Sequence, residues 1–599
     1  MYDNKPDGSD NPILYNLPAD GCSAGKVLQH AVRAMEKLFR KHEPMIWKVG
    51  YTHNAEFRWS NDLYGYAKSR DKWSCMVVLF KTNEPFSPAM LEASCTSAIR
   101  TARAVVEDLG EEKAGEIGLL RPDAKRERFI WAAFWKKYEC LQPAHPVFGM
   151  ARNNEIDLSR TAAVVMHGDE GRGRRRQAFM VLSFHSLLGR GTNSANKKSV
   201  KKPYLKMKLN FKGHSYCSRL LSGVLPKHLY QKDDEVFETL LRASCEDART
   251  MMTKGVLDAN GNRFWMVCLG TVGDWPFLQK SGHLVRTYAN VVKRVDQVAG
   301  GICHLCDCGP DTLPFERFAT RRPDWLATLN TTSPFQTTPA AARIPHAPGQ
   351  LATTFYFDLF HCWHLGVGRN FAGSALVLLS DLHAGNVDER FDQLTIQYKD
   401  WCRRNGAPPI LTRINKDNIQ WASTSEFPTG TWFKGAVTTN MVQFFEDCDG
   451  LCDEPLFRLA IQAAQAINEF FRLLYSSDLW LPPEVARRAA ELMFRFLRRY
   501  ESCARLSYED ERTLFIVQPK LHTLQHCAIT LLHTAVRDME ALNPLAFGTQ
   551  MSEDFVGRQS RLSRRVTSSR QTITRVIERY LQAAHAEFVQ CGYLRIAPS

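Results

Sequence analysis

Thr161-Ala162-Ala163-Val164-Val165-Met166 runs directly into His167-Gly168-Asp169-Glu170-Gly171. A short β-branched apolar run that ends in a Gly- and acid-bearing turn reads as a buried strand, and residues 179–184, 205–211 and 264–269 repeat that pattern. Helical spacing over 235–254 separates the last two runs, as a layered α/β arrangement requires. The expectation is one mixed sheet with helices on it.

Outward from this sheet, residues 328–350 are dense in Thr, Pro and Ala and read as a linker or long loop. Beyond it, 456–474, 483–500, 521–542 and 572–589 carry apolar residues three and four apart and predict helices. On the other side, the stretch to about residue 25 is rich in Asp, Asn, Pro and Gly and reads as a loose tail. Residues 27–40 and 88–106 have helical spacing, with β-like runs at 46–52 and 73–80. No repeat of fixed period is present.

The chain of 599 residues is long enough for several domains with apolar cores. Its 44% hydrophobic and 23% charged residues fall in the ordinary globular range, which excludes disorder, collagen-like repeats and a coiled-coil rod. No apolar run reaches the roughly 20 residues that span a bilayer, and the acid-bearing start has the form of neither a signal nor a transit peptide, so no membrane and a cytosolic or nuclear location are expected. Seventeen cysteines in such a compartment are read as free thiols or metal ligands. The net charge of +14 points to a polyanionic partner, or to solubility alone.

Two acids stand where strands end. Asp169 follows the first run and Asp274, in Val272-Gly273-Asp274-Trp275-Pro276, follows the fourth. Acids in such places are commonly turn formers or helix caps. On neighbouring strands of a ribonuclease H-like sheet they can instead converge, and a third acid from a C-terminal helix then completes an oxygen cage for two Mg²⁺ ions, which prefer carboxylate ligands.

Over residues 164–577 the chain resembles transposases of the CACTA (En/Spm-like) superfamily, in particular the Plavaka and KDZ branch. Its motifs occur in the family's order: His167-Gly168-Asp169; Gly273-Asp274-Trp275-Pro276; Cys303-His304-Leu305-Cys306; and Asp358-Leu359-Phe360-His361-Cys362-Trp363-His364-Leu365-Gly366-Val367, which is similar to the family's Asp-x-x-His motif. Gln518-Pro519-Lys520-Leu521-His522-Thr523-Leu524-Gln525-His526 resembles the segment that precedes the final acid. In Thr549-Gln550-Met551-Ser552-Glu553-Asp554-Phe555 the pattern points to Glu553, with Asp554 the competitor.

The resemblance implies a ribonuclease H-like mixed sheet interrupted by a large helical insertion. Asp169, Asp274 and Glu553 would be its catalytic, Mg²⁺- or Mn²⁺-binding triad. The implied activity is cleavage of double-stranded element ends and their transfer to target DNA in the nucleus, by a chain that forms a homo-oligomer. The runner-up is an inactive or domesticated derivative that binds DNA.

Cys303 and Cys306 have the spacing with which two thiolates hold one Zn²⁺, and His361 and His364 offer two imidazoles with matching short spacing. Cys308 can replace a ligand, Asp358 can take the place of a histidine, and an unmetallated thiol pair beside ordinary buried histidines is the alternative. Arg172, Arg174, Arg175 and Arg176 beside the first acid, and Arg558, Arg561, Arg564 and Arg565 after the last, are candidate DNA-backbone contacts or simply solvated charge.

In front, Ile46-Trp47-Lys48-Val49-Gly50-Tyr51-Thr52, then Arg58 and Glu92, resembles the core of a GIY-YIG nuclease-like α/β module, in which Tyr51, Arg58 and Glu92 would be the catalytic positions. The expected layout is a disordered tail (1–26), this module (27–125), the ribonuclease H-like core (150–300), a Cys motif and linker (301–350), a helical insertion (351–545) and C-terminal helices that return the third acid (546–599). The sequence contains no G-x-S-x-G elbow, Walker loop or Rossmann fingerprint, which sets aside a metabolic hydrolase or nucleotide-binding enzyme.

Overall fold

A computed structural model describes residues 13–15, 76–78, 124–173, 177–197, 207–257, 261–291, 300–566 and 572–591. The chain divides into two compact units, 1–103 and 104–599. In the first, β1 (Ile13–Tyr15) pairs in parallel with β2 (Met76–Val78). A strand thus lies within the stretch read as a loose tail, because Ile13-Leu14-Tyr15 is an apolar triplet with a partner sixty-odd residues away, which composition alone does not reveal.

The first described elements of the second unit are α1 (Ala124–Leu141) and α2 (Pro146–Arg152), which the sequence reading does not anticipate. Trp131, Phe134, Trp135 and Tyr138 of α1 are buried, and the Trp135 indole N–H donates to the Thr161 carbonyl at 2.8 Å, anchoring the start of the sheet. The strands are β3 (Thr161–Arg172), β4 (Ala178–Ser186), β5 (Leu220–Pro226), β6 (Val256–Leu257) and β7 (Arg263–Gly273), in the order β5-β4-β3-β7-β6. The one-turn α3 (Asn193–Lys197) follows β4, and α4 (Glu235–Thr253) follows β5.

The sheet is mixed, as expected. β3 pairs antiparallel with β4 and β4 with β5, whereas β3 and β7 are parallel neighbours. One strand was misplaced in the sequence reading. Residues 207–211 make only isolated bridges, Leu188 to Leu209 and Gly191 to Asn210, and the third strand is instead Leu220–Pro226. Its Ser-Gly interior disguises it; Gly223 lets α4 approach closely, since a Cβ would lie 2.6 Å from Leu240 Cδ1 and push that side chain aside.

Alternation sorts the strand side chains onto two faces. Val164, Met166, Met180, Leu182 and Leu225 pack under Phe237, Leu241 and Cys245 of α4. On the opposite face Phe179, Val181 and Val224 meet Phe555 and Val556 of α12 (Gln550–Arg564) and Val576 and Tyr580 of α13 (Thr572–Gln590), giving three layers.

Between β7 and α12 lie α5 (Trp275–Gly282), a π-helix (Phe360–Val367), α6 (Gly368–Ser380), α7 (Val387–Asn405), α8 (Gly435–Glu446), α9 (Pro455–Tyr475), α10 (Pro483–Glu509) and α11 (Lys520–Val536). From the π-helix to α11 they share one apolar core with α1, whereas Phe277 and Leu278 of α5 pack with α4 against the sheet. α11 ends at Val536, short of the expected 542, because Ala541–Leu542 turns back as β9 to pair with β8 (Trp480–Leu481). The Thr- and Pro-rich 328–350 stretch is irregular but packed, with Ala340, Ala341 and Ile344 buried against the sheet.

Candidate active and metal sites

Two glycines bring the first two acids together. Gly168 on β3 and Gly273 on β7 are register partners, and the Phe277 ring of α5 lies over both: a Cβ on Gly168 would sit 2.1 Å from that ring and one on Gly273 2.5 Å. One residue further along each chain stand Asp169 and Asp274. Asp169 does not follow the strand, as the sequence reading had it, but lies within it, since β3 continues to Arg172 and Asp169 pairs with Val181. Asp274 leaves β7 and caps α5, its Oδ1 accepting the Phe277 N–H at 2.8 Å.

Glu553 arrives from the first turn of α12, on the sheet face that Asp169 shares with Val181. Burial, reinforced by the charges of Glu553 and Asp274, pushes the Asp169 carboxyl well above the ordinary range. Burial likewise raises Glu553, against the opposing pull of His361 and of a hydrogen bond with Asp169, and it raises Asp274. Asp554 faces elsewhere: its Oδ2 accepts from Ser215 Oγ and Arg558 Nε, both at 2.7 Å. Of the two competing acids, Glu553 is the one turned to Asp169.

An ion pair between a half-buried histidine and a buried aspartate braces this cluster. His361 Nδ1 is 2.7 Å from Asp358 Oδ2, and its Nε2 is 3.6 Å from Glu553 Oε1. Burial alone would lower the imidazole, but the hydrogen bond and charge of Asp358, with Glu553 and Asp169 behind it, raise it to about 9. Asp358 is held below its usual value despite burial, by His361, by the Thr549 hydroxyl at 2.5 Å and by the Phe360 N–H at 2.7 Å. Lys520 Nζ donates to the His361 carbonyl at 2.9 Å, and burial lowers its own pKa. The irregular turn that carries His361 is a π-helix, a form that recurs at functional sites.

His361 and His364 are therefore not the partners of the cysteine pair, which corrects the expected zinc set. His361 is committed to Asp358 and Glu553, while His364 is buried between Phe360 and Phe471, with Nδ1 3.3 Å from Thr439 Oγ1. Cys303 and Cys306 instead meet His522 and His526, and one ligand atom from each of the four lies within 4.8 Å of the others. The two histidines are four residues apart on α11 and so share a helix face, with their Nε2 atoms 3.1 Å apart.

These four side chains can hold a zinc ion. Cys306 Sγ to His522 Nε2 is 3.4 Å, and Cys303 Sγ and Cys306 Sγ are each 3.5 Å from His526 Nε2. Bond lengths of roughly 2.3 Å to sulfur and 2.05 Å to nitrogen in a tetrahedron place S and N about 3.5 Å apart and two N about 3.3 Å apart. The observed separations are close to those edges. Trp325 covers the group, its ring 4.1 Å from that of His526, and its indole N–H donates to Gln525 Oε1 at 3.1 Å. The Gln525 amide in turn donates to the carbonyls of Arg317 and Thr320, so α11, the Cys loop and the 317–325 segment are tied at one point.

The sequence carried a signal for this histidine pair. His522-Thr523-Leu524-Gln525-His526 has the i, i+4 spacing of two ligands on one helix face, just after a helix-starting proline. Cys308 and Asp358 are absent from the four-residue group.

Of the candidate backbone contacts, Arg172 lays its guanidinium over the Phe433 ring, Arg558 is engaged with Asp554, Arg564 Nε donates to the Arg172 carbonyl at 2.9 Å, and Arg561 and Arg565 are exposed. Arg174, Arg175 and Arg176, and Tyr51, Arg58 and Glu92 of the front module, lie outside the described residues. Compared with known proteins, the chain matches no family model and no curated protein.

Proposed function

We propose that this chain is a DDE-type DNA transposase: a ribonuclease H-like sheet, interrupted by a helical insertion, that cleaves double-stranded DNA and transfers its 3′-ends by phosphoryl transfer with Mg²⁺ or Mn²⁺. The observation that carries the reading is the meeting of Asp169, Asp274 and Glu553. They come from β3, from the cap of α5 and from α12, and the first is electrostatically coupled to both others. The parallel pairing of β3 with β7 is what makes the two strand acids neighbours.

The donor set fits the metal. All three groups offer only carboxylate oxygen, the ligand that hard divalent cations take. Burial raises all three carboxyls, and the charges of Glu553 and Asp274 add to the rise of Asp169, which a bound cation would relieve.

When bound, such ions activate the attacking oxygen and stabilise the leaving one. The chain's own residues orient and hold. His361 keeps a positive charge against Glu553 and fixes its carboxylate, Asp358 and Thr549 fix His361, and the Asp274 bond to the Phe277 N–H fixes the second acid. The net charge of +14, with Arg561 exposed on the helix that carries Glu553 and Arg565 exposed just past its end, favours a polyanionic substrate approaching this edge. A nuclear location and assembly of more than one copy belong to the same reading. The zinc group, away from the acids in ligand type and in residues, would hold the insertion together.

The test is Mg²⁺- or Mn²⁺-dependent nicking and strand transfer by the purified chain, alongside Asp169→Asn, Asp274→Asn and Glu553→Gln, with Asp554→Asn as control. Loss in the first three with retention in the fourth supports the reading. Metal-independent DNA binding without cleavage in the wild type overturns it in favour of a binding protein.

A further inference from the structure

We propose that Phe433 is a stacking platform for an unpaired DNA base held at the lip of the acid cluster. The proposal rests on the phosphoryl-transfer reading above for the identity of the polymer. Phe433 is 77% exposed, an unusual state for a phenylalanine, and it stands in Thr431-Trp432-Phe433-Lys434-Gly435, whose other aromatic, Trp432, is buried and donates its indole N–H to Thr438 Oγ1 at 2.8 Å. One aromatic of the pair serves the core, and the other has been left in solvent.

One element that builds the acid cluster touches it, and two others touch its immediate neighbours. Arg172 of β3 lays its guanidinium over the ring at 5.5 Å from the centroid. It is three residues beyond Asp169, about 10 Å along a strand. α12, which carries Glu553, is tied to the backbone of Arg172 through Arg564, whose Nε donates to the Arg172 carbonyl at 2.9 Å. The π-helix that carries His361 abuts the segment two residues on: a Cβ on Gly435 would lie 2.5 Å from the Phe360 ring and 3.0 Å from His364 Cβ. Gly435 therefore sets how closely this loop approaches the π-helix, and with it where Phe433 stands.

The surroundings select the ligand. Arg172, Lys434 and Arg564 are all exposed, and none of the three is paired with a carboxylate among the described residues. An open aromatic face among unpaired cations suits a group with a flat π-surface on an anionic backbone, and every nucleobase satisfies that description. A purely apolar partner would leave the three charges without a counter-ion. Bases in an intact duplex are already stacked on one another, so the ring has a use only where a base is unpaired.

The experiment compares binding of a labelled DNA duplex carrying a short single-stranded gap with binding of the intact duplex, for the full chain, Phe433→Ala and Phe433→Trp. The expected result is a roughly 5- to 150-fold loss of gapped-DNA affinity in the alanine variant, unchanged affinity for intact duplex and recovery with tryptophan. The exposure of the ring means that all three should melt together, which a thermal scan verifies. Equal affinity of wild type and alanine variant for gapped DNA overturns the proposal, as does a shift of the alanine variant from oligomer to monomer in sedimentation with DNA binding intact, which makes the ring a protein contact. Failure of the transposase reading looks different: the wild type prefers gapped DNA but never cuts. A wild type that binds neither DNA overturns both.

Discussion

His361 faces Glu553 across 3.6 Å through Nε2 and holds Asp358 at 2.7 Å through Nδ1, so one half-buried imidazolium joins the buried Asp358 to Glu553. Its cation is the nearest compensation for a cluster whose three carboxyls are all raised by burial.

His361→Gln is expected to cost stability, because it leaves Asp358 charged, buried and without its counter-ion, a loss of about 3 kcal/mol or more. The pH dependence follows from the raised imidazole. A group with a folded pKa above its unfolded value contributes fully below the unfolded 6.5 and loses that contribution as pH rises through about 9. The wild type should therefore lose melting temperature over that window, and the glutamine variant should lack this component. Parallel slopes in the two proteins would show that the histidine is neutral.

Metal affinity should climb with pH through the titration of the acid cluster. The folded pKa values of Asp169, Asp274 and Glu553 all lie above their ordinary values, so protons compete with the cation at a higher pH than for solvated carboxylates. Mn²⁺ titrations at several pH values should place the midpoint above the usual carboxylate range. Glu553→Gln should move it down by removing the neighbour that most raises Asp169.

Zinc analysis of the purified chain should give one ion per molecule, and Cys306→Ser or His522→Ala should abolish it. Strong chelation should lower the melting temperature, because Trp325 and Gln525 organise the 317–325 segment around the same four side chains. By contrast, His364→Ala should retain the ion. Zinc retained by the cysteine variant would rule the group out.

Gly168→Ala should impair the acid cluster more than the fold. The added methyl meets the Phe277 ring at 2.1 Å, and displacement of that ring shifts the helix capped by Asp274. The expected cost is roughly 1–3 kcal/mol. Metal-dependent cleavage should fall further than the melting temperature implies, and Phe277→Leu in the same chain should restore part of it. Unaltered cleavage in Gly168→Ala would show that the glycine pair does not set the spacing of the acids.

Local signals were enough for much of this. The β-branched runs at 161–166, 179–184 and 264–269 form strands, and the helices over 235–253, 455–475, 483–509 and 572–590 lie where three- and four-residue spacing predicts them, because each pattern is a property of neighbouring residues. The three acids were also visible as individual residues in short motifs. The third strand, by contrast, was hidden by Gly223, whose use is a close approach to Leu240 that no local pattern contains.

What only the tertiary structure decided is who meets whom. Cys303 and Cys306 were visible as a pair, but whether their partners were His361 and His364 or His522 and His526 depends on how α11 crosses the Cys loop more than two hundred residues away. The choice of Glu553 over Asp554 depends on which way the first turn of α12 rolls against the sheet, where Phe555 and Val556 must be buried. Sequence determines the periodicity and chemical type of each side chain locally. Partners at long range follow from the packing of apolar faces, and that packing assigned His361 to the acids and His522 and His526 to the cysteines.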